Sequence, residues 1–316
     1  MPRVRCSSCD ASAVVDQPYA GAHACERHFI EGVEERVRRE IHRQLPRFSG
    51  RTIAVALSGG KDSAAALALS QRYFLRRPSV RVVAISVDEG VEGYRTATLE
   101  AARALTERLG VEHRVVRVEE ELGTTTDRAA ERLPETVPCS FCGVWRRRLL
   151  NQGARDAGAD VLVLGFNLDD LAQTILMNLV RGDLERLTRM APHRGRQPGL
   201  VPRIAPLAAI PEREVYLYAR LTGLPFDHGE CPHAGRAHRN VFREVLWRLE
   251  EATPGTRQAL RRTQERLTDL LRTREPTIAP ERCTSCGEPS SGPRCRTCEF
   301  LELVLSPPEP AVGERP

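Results

Sequence analysis

Residues Thr52 to Ser70 read TIAVALSGGKDSAAALALS. The first six residues form an apolar, β-type run with the length of a buried strand, and Ser58-Gly59-Gly60 ends it. Residues 64–76 continue with Leu67 and Leu69 in a helical pattern. Similar units follow along the chain. VRVVAISV (80–87), HRVVRV (113–118) and ADVLVLG (159–165) read as further strands. Helices are predicted over 95–109, ending at Gly110, over 143–157, ending at Gly158, and over LDDLAQTILMNLV (168–180). Strands that alternate with helices at short spacing predict an α/β fold, a doubly wound parallel sheet covered on both faces. Further helices are expected over 211–222, entered through Pro211, and over 236–274, Arg-rich and broken at Pro254–Gly255. The tail SPPEPAVGERP has the composition of a disordered segment.

The 316 residues carry 47 basic and 42 acidic side chains, a formal charge of +5, with 41% hydrophobic and 28% charged residues. This is the balance of a globular protein with a proper core. No apolar run approaches the ~18 residues of a membrane span, and MPRVRCSSCD lacks the apolar stretch of a secretory signal. A cytoplasmic, membrane-free protein is expected. Arginine supplies 46 of the 47 basic residues, and the single lysine is Lys61, inside the glycine turn. A coding bias toward arginine explains the skew but not the position of its exception.

The ten cysteines fall into three sets, and in a reducing compartment such sets bind metal or carry redox chemistry. Cys6-x2-Cys9 with Cys25-x2-His28, and Cys283-x2-Cys286 with Cys295-x2-Cys298, each offer four ligands as two close pairs. That is the pattern of closed, structural zinc sites, with His23 as a rival for the fourth place in the first. Cys139-x2-Cys142 and the distant Cys231 are only three. They suit an iron–sulfur cluster with one open iron, a zinc with an open position, thiol–persulfide cycling, or a third zinc completed by His228 or His233.

Ser58-Gly59-Gly60-Lys61-Asp62-Ser63 lies between a strand and a helix, where glycines let the backbone approach an anion and helix N–H groups point at it. It lacks the GxxxxGK[ST] pattern of a Walker loop. It resembles the pyrophosphate loop of the PP-loop ATP pyrophosphatases, which cleave ATP between the α and β phosphates. The order CxxC–CxxH, SGGKDS, PCxxCG, GFNLDDLAQT, a late Cys and CxxC–CxxC, over residues 6 to 298, resembles the TtuA-like tRNA 2-thiouridine synthetases of the TtcA/TtuA family.

The resemblance implies a Rossmann-like PP-loop fold and definite roles. Ser58, Gly59, Gly60, Lys61, Asp62 and Ser63 would hold the β and γ phosphates of ATP. Ala56 and Ile85, near the ends of two strands, would face adenine through their backbones, with Gly165 close by. Asp170 would be an acidic residue needed for activity; read alone, Asp169 and Asp170 are also ordinary carboxylates of a helix start. Cys139, Cys142 and Cys231 would hold a 4Fe–4S cluster. Relatives commonly carry Lys where this chain has Arg146, a nucleotide-contact candidate with a planar fork in place of a compact ammonium. They also read GHN where this chain reads Gly165-Phe166-Asn167.

The implied reaction begins with attack of a uracil oxygen on ATP, giving an O-adenylate. Sulfur then displaces AMP. Lys61, backbone donors and Mg2+ stabilise the leaving pyrophosphate, Asp62 helps hold the metal, and Asp170 orients or activates the base. Sulfur is carried on the cluster or as a persulfide on one of the three cysteines. Expected cofactors are ATP, Mg2+, a 4Fe–4S cluster and two Zn2+.

Expected partners are tRNA, a sulfur donor (a thiocarboxylated ubiquitin-like protein, a desulfurase persulfide or sulfide) and a second copy of the chain. The uridine is that of the T-loop or of the wobble position. Arg146-Arg147-Arg148 and the arginines of 236–274 suit RNA phosphates, while 5% aromatic content argues against a stacking platform. Trp145 and Trp247 read as packing residues, with stacking on RNA as the alternative for either. The alternatives are a 2-thiocytidine-type or lysidine-type PP-loop enzyme and a zinc-ribbon RNA-binding protein with a vestigial nucleotide site. The expected division is a zinc module (1–32), a catalytic domain (33–235), a helical segment (236–278), a zinc ribbon (279–302) and a tail (303–316).

Overall fold

The computed structural model describes residues 4–46, 48–77, 79–190, 197–236, 239–272 and 281–306. The hairpin β1 (Val15–Gln17) and β2 (Ala22–Ala24) leads into α1 (Glu26–Gln44). Then follow β3 (Thr52–Ala56), α2 (Lys61–Phe74), β4 (Arg81–Asp88), α3 (Arg95–Leu109), β5 (Glu112–Arg117), α4 (Val118–Leu122) and α5 (Thr126–Arg132). The second half contains α6 (Cys139–Asp156), β6 (Val161–Val163), α7 (Leu168–Val180), α8 (Leu184–Arg189), β7 (Arg203–Ile204) and α9 (Glu212–Leu221). After these come α10 (Arg239–Ala252), α11 (Thr256–Arg272), the hairpin β8 (Glu281–Arg282) and β9 (Pro289–Ser290), and α12 (Arg296–Leu305).

Five strands form one parallel sheet in the order β5-β4-β3-β6-β7. The chain moves outward from β3 to β5, then returns to the other side of β3, so the switch point lies between β3 and β6. Alternate strand residues face two cores, as a sheet covered on both sides requires. Ile53, Val55, Val82, Ala84, Val161 and Val163 pack with α1, α2, α3 and α9. Ala54, Val83, Ile85, Val87 and Leu162 pack with α4, α6 and α12. The expected doubly wound fold is therefore the one that forms.

Several elements differ from the sequence reading. α2 begins at Lys61, three residues before the expected start, with Gly60 as its N-cap. α6 begins at Cys139 rather than 143, with Pro138 as its N-cap, so the cysteine pair lies inside the first helical turn. α1 was not anticipated; it runs unbroken through residue 32 and buries Phe29, Val33, Val37 and Ile41. Trp145 is fully buried, whereas Trp247 is 58% exposed, not packed. Residues 237, 238 and 273–280, within or beside the expected Arg-rich helices, and most of the expected tail (307–316) lie outside the described residues. Among the described residues no helix is long and apolar enough to cross a membrane.

Candidate active site and metal centres

The site is built at the carboxyl ends of β3 and β6, where a switch point opens a crevice. Gly59 has φ +92°, and a Cβ there would lie 1.9 Å from the Thr98 carbonyl oxygen, so only glycine fits. Ser63 Oγ accepts from Ser58 N–H at 3.1 Å and donates to the Gly60 carbonyl at 2.9 Å, which closes the loop on itself. Arg95 Nη1 donates to the Ser58 carbonyl at 3.0 Å. A Cβ on Gly165 would lie 3.0 Å from Ser63 N, so the end of β6 presses directly on the loop.

Lys61 Nζ lies 3.0 Å from Asp62 Oδ2 and 2.8 Å from Glu212 Oε1 at the start of α9. Burial works against its ammonium, but Asp62 and Glu212 outweigh it and hold its pKa above the ordinary lysine value. Asn167 is the N-cap of α7 in a capping box with Asp170, and its Nδ2 donates to Asp62 Oδ1 at 2.9 Å. Asp62 and Asp170 thus share one polar corner. Burial pushes the Asp170 pKa up to about 6; Arg239, whose Nη1 lies 3.2 Å from Oδ1, opposes the rise, and Asp62 and Glu212 add to it. Asp169 instead accepts from Glu212 N–H at 2.8 Å and pairs with Arg257 at 2.6 Å, which leaves it a structural part.

Ala56 ends β3 as expected. Ile85 does not reach the sheet edge: it is fully buried, its carbonyl accepts from Leu57 N–H at 2.8 Å, and β4 continues to Asp88. Phe166 is 44% exposed, so no polar group fills the place between Gly165 and Asn167. Arg146 pairs with Glu89 Oε1 at 2.5 Å, and its Nη2 donates to Cys142 Sγ at 3.4 Å. Glu89 also takes Arg95 Nε at 2.9 Å. One buried carboxylate therefore links the phosphate loop, through Arg95, to the cysteine helix, through Arg146. Sequence reasoning missed Glu89, Arg95, Glu212 and Arg239. In DEGVEGYR nothing but position at a strand end separates Glu89 from its neighbours.

The loop carrying Cys231 crosses the phosphate loop, with Asp227 N–H donating to the Gly59 carbonyl at 2.9 Å. Cys139 is exposed, Cys142 buried and Cys231 between. Burial raises the Cys142 thiol pKa and Arg146 opposes it; burial also raises that of Cys231, and Cys139 is close enough to add to the rise. The three are neighbours in one region but do not form a single-ion cluster. His233 Nε2 is taken by Asp127 at 2.7 Å, and the His228 ring packs at a tilt against Phe226 with centroids 4.6 Å apart. A cubane is wider than one ion, so thiolates that stand apart fit it better than they fit zinc.

The terminal sets contrast with this. In each, all four ligand atoms lie within 4.8 Å of one another. Zinc–sulfur bonds of ~2.3 Å at tetrahedral angles put sulfurs about 3.8 Å apart. Cys9–Cys25 and Cys283–Cys298 are separated by 3.8 Å and Cys286–Cys295 by 3.7 Å. His28 Nδ1 stands 3.3 Å from Cys6 Sγ and 3.5 Å from Cys25 Sγ, while His23 pairs with Asp16. The Cys25 and Ser8 backbone lowers the Cys6 pKa to about 6, toward the thiolate a metal requires.

The PP-loop domain family model matches residues 33–250. The tRNA 2-thiolation protein NcsA of Haloferax volcanii is 38% identical, over 95% of this chain and 99% of its own. The cytoplasmic tRNA 2-thiolation protein 1 of Bos taurus is 36% identical, over 99% and 92%. The structure of the U34-tRNA thiolase NcsA from Methanococcus maripaludis with its [4Fe-4S] cluster superposes with a TM-score of 0.83 at 33% identity, over 95% of this chain and 96% of that one. The match to the family model spans more than half of the chain, and relatives above 30% identity match it along nearly their whole length, so the chain belongs to the PP-loop family of tRNA 2-thiolation proteins.

Proposed function

We propose that this chain is an ATP-dependent tRNA-uridine 2-sulfurtransferase that acts at the wobble uridine, U34, in the cytoplasm. One observation carries the reading. The phosphate loop, Asp170 and the cysteine trio meet at one edge of the sheet in a chain 33% identical to a U34-tRNA thiolase over 95% of its length. The same likeness favours the wobble position over the T-loop, and the U34 thiolases over TtuA or TtcA as the nearer kin. The zinc module (1–32), catalytic domain (33–235), helical segment (236–278) and ribbon (279–302) divide the work.

Backbone N–H groups of Gly59 and Gly60 and the start of α2 receive the β and γ phosphates, with Ser58 and Ser63 holding the loop in shape. Lys61 turns from Glu212 to the phosphates and neutralises charge as the Pα–O bond breaks. Asp62 would help hold Mg2+, which would supply further charge neutralisation at the phosphates. Above its pKa Asp170 draws the N3 proton of the uracil, which makes O2 the nucleophile toward the α phosphate. Ala56 and Gly165 line the adenine side; Ile85 shapes the strand behind it.

Sulfur then bonds to C2 as the C2–O bond breaks and AMP departs. Cys139, Cys142 and Cys231 would hold a 4Fe–4S cluster, which would supply a place for the sulfur to be carried. Arg146 gives the Cys142 sulfur electropositive surroundings that favour its thiolate, so its role lies with the cysteine helix more than with the nucleotide. Sulfur is supplied by a thiocarboxylated ubiquitin-like protein, a desulfurase persulfide or sulfide. Two Zn2+ hold the terminal sets, and the working form is a homodimer.

The test is a single-turnover reaction with ATP, a sulfide source and tRNA, followed by nucleoside mapping. AMP and 2-thiouridine at U34 are expected, and Lys61→Ala should slow AMP formation by about 100-fold or more. Undiminished ATP cleavage in that variant, or sulfur confined to the T-loop, would contradict the reading.

A further inference from the structure

The three cysteines of the trio sit on supports of unequal stiffness. Cys139 and Cys142 lie in the first turn of α6, a helix of 18 residues. Cys231 lies within residues 224–233, which belong to no helix or strand. What fixes the third sulfur against the other two is therefore a matter of loop and side-chain contacts. Among the described residues, hydrogen bonds tie this segment down on either side of Cys231. Before it, Asp227 N–H donates to the Gly59 carbonyl at 2.9 Å. After it, His233 Nε2 stands 2.7 Å from Asp127 Oδ1, and Ala234 N–H closes a turn on the Cys231 carbonyl at 2.8 Å. A carboxylate only accepts, so Nε2 carries the proton and donates.

Asp127 is itself held. Its Oδ2 accepts from Glu92 N–H at 2.8 Å, so both carboxylate oxygens are committed. Neighbouring residues repeat the grip. Thr126 N–H donates to the Glu89 carbonyl at 2.8 Å. Gly90, at φ +63°, lies so near Thr125 that an added Cβ would stand 2.6 Å from the threonine Cβ. Glu89 in turn takes Arg146 on α6, whose Nη2 donates to Cys142 Sγ at 3.4 Å. One polar frame, residues 89–92 against 125–127, thus reaches Cys142 through Arg146 and the Cys231 segment through His233.

Resting on the cluster proposed above, we propose that Asp127 and His233 are positioning residues for the cysteine trio. Their hydrogen bond holds the Cys231 segment to the frame that also holds Cys142, and so presents three sulfurs as one ligand set. Neither side chain is a ligand in this role. The frame supplies what cysteine spacing cannot, because Cys142 and Cys231 stand some ninety residues apart in sequence. A ligand set assembled beforehand binds without the entropy cost of gathering a loose loop. Loss of the bond should free the segment after Asp227 and leave the sheet intact.

The experiment uses the full chain in two forms. After anaerobic reconstitution with iron and sulfide, Asp127→Ala and His233→Ala should each release iron to a chelator about tenfold faster than wild type, followed by visible absorption. Before reconstitution, in a Cys142→Ser background that leaves Cys139 and Cys231 as the pair, mild oxidation with diamide should couple those two thiols. Peptide mass mapping should show this coupling about tenfold slower in either Ala variant. His233→Gln, whose amide Nε2 can donate to Asp127, should restore most of both readings. The double Ala variant should lose no more than either single one, as one shared bond requires. ATP affinity and thermal melting should stay near wild type, and Arg128→Gln on the same helix, whose partner is Glu119, should change nothing. Wild-type iron release and coupling in the Ala variants would overturn the assignment. So would absence of rescue by Gln, or an equal fall in ATP affinity and melting, which would mark a general structural role. A wild-type chain that takes up no iron would sink the cluster reading instead, and the coupling rates would still decide the positioning role.

Discussion

Asp170 shows how one residue's surroundings set its chemistry. Its carboxyl sits in a capping box, beside Asp62 and under Arg239, and burial raises its pKa to about 6. The unfolded chain would release this proton near 3.9, so the folded state holds it more tightly. Stability tied to Asp170 is therefore full below pH ~4 and declines as pH rises toward 6. As a base, the same group becomes competent only above that point. ATP cleavage dependent on tRNA should show an acid limb with a midpoint near 6. Arg239→Gln should move the limb upward, because the opposing positive charge is lost, and Asp170→Asn should lower the rate about 100-fold and abolish the limb. A limb that survives unchanged in Asp170→Asn would assign the titration to another group.

At the scale of elements, the strand–turn–helix of β3, the loop and α2 can be tested by two adjacent glycines. Gly59 has φ +92° and no room for a Cβ, whereas Gly60 has φ −83° and its nearest neighbour to an added Cβ is Ser58 Oγ at 3.7 Å. Gly59→Ala should cost about 2 kcal/mol or more of stability and abolish ATP cleavage. Gly60→Ala should melt close to wild type yet bind ATP more weakly, since its methyl stands where a phosphate approaches; thermal melts and ATP titration read both. Equal melting of the two would refute the loop geometry. These elements were legible because an uninterrupted apolar run, a double glycine and a stretch rich in alanine each have one low-energy structure. β7 was not, since two residues carry no periodicity. The start of α6 was misplaced because Pro138 and two cysteines read as a turn-like knuckle, although proline is also well suited to a helix start. The spacing of Phe29, Val33, Val37 and Ile41 was present for α1 and went unread beside the cysteine pattern. The Glu89 bridge was illegible in principle, because it joins residues 57 positions apart through a fold that must first exist.

For the whole molecule, the terminal cysteine sets are tied to opposite faces of the sheet, so each should govern a different part of the site. The C-terminal set holds α12, whose Phe300 packs on Phe141 of α6 with ring centroids 6.0 Å apart, and Phe141 stands between Cys139 and Cys142. The N-terminal set opens α1, which packs on α9; Tyr19 donates to Glu214 at 2.6 Å, and Arg36 pairs with the same carboxylate. Glu212, which holds Lys61, is two residues before Glu214. Loosening the ribbon should therefore disturb the cysteine helix, and loosening the amino-terminal module should disturb the lysine. Phe300→Ala, in a side chain 8% exposed, should cost about 3 to 4 kcal/mol. Together with Cys295→Ser it should lower bound iron after anaerobic reconstitution while ATP affinity changes little. Cys25→Ser should do the reverse, weakening ATP binding while iron per chain is retained. Metal analysis and ATP titration on the same preparations decide the matter. Should both variants lose iron and ATP affinity in equal measure, the two sets would be acting through global stability alone, and the division of labour between the faces of the sheet would fail.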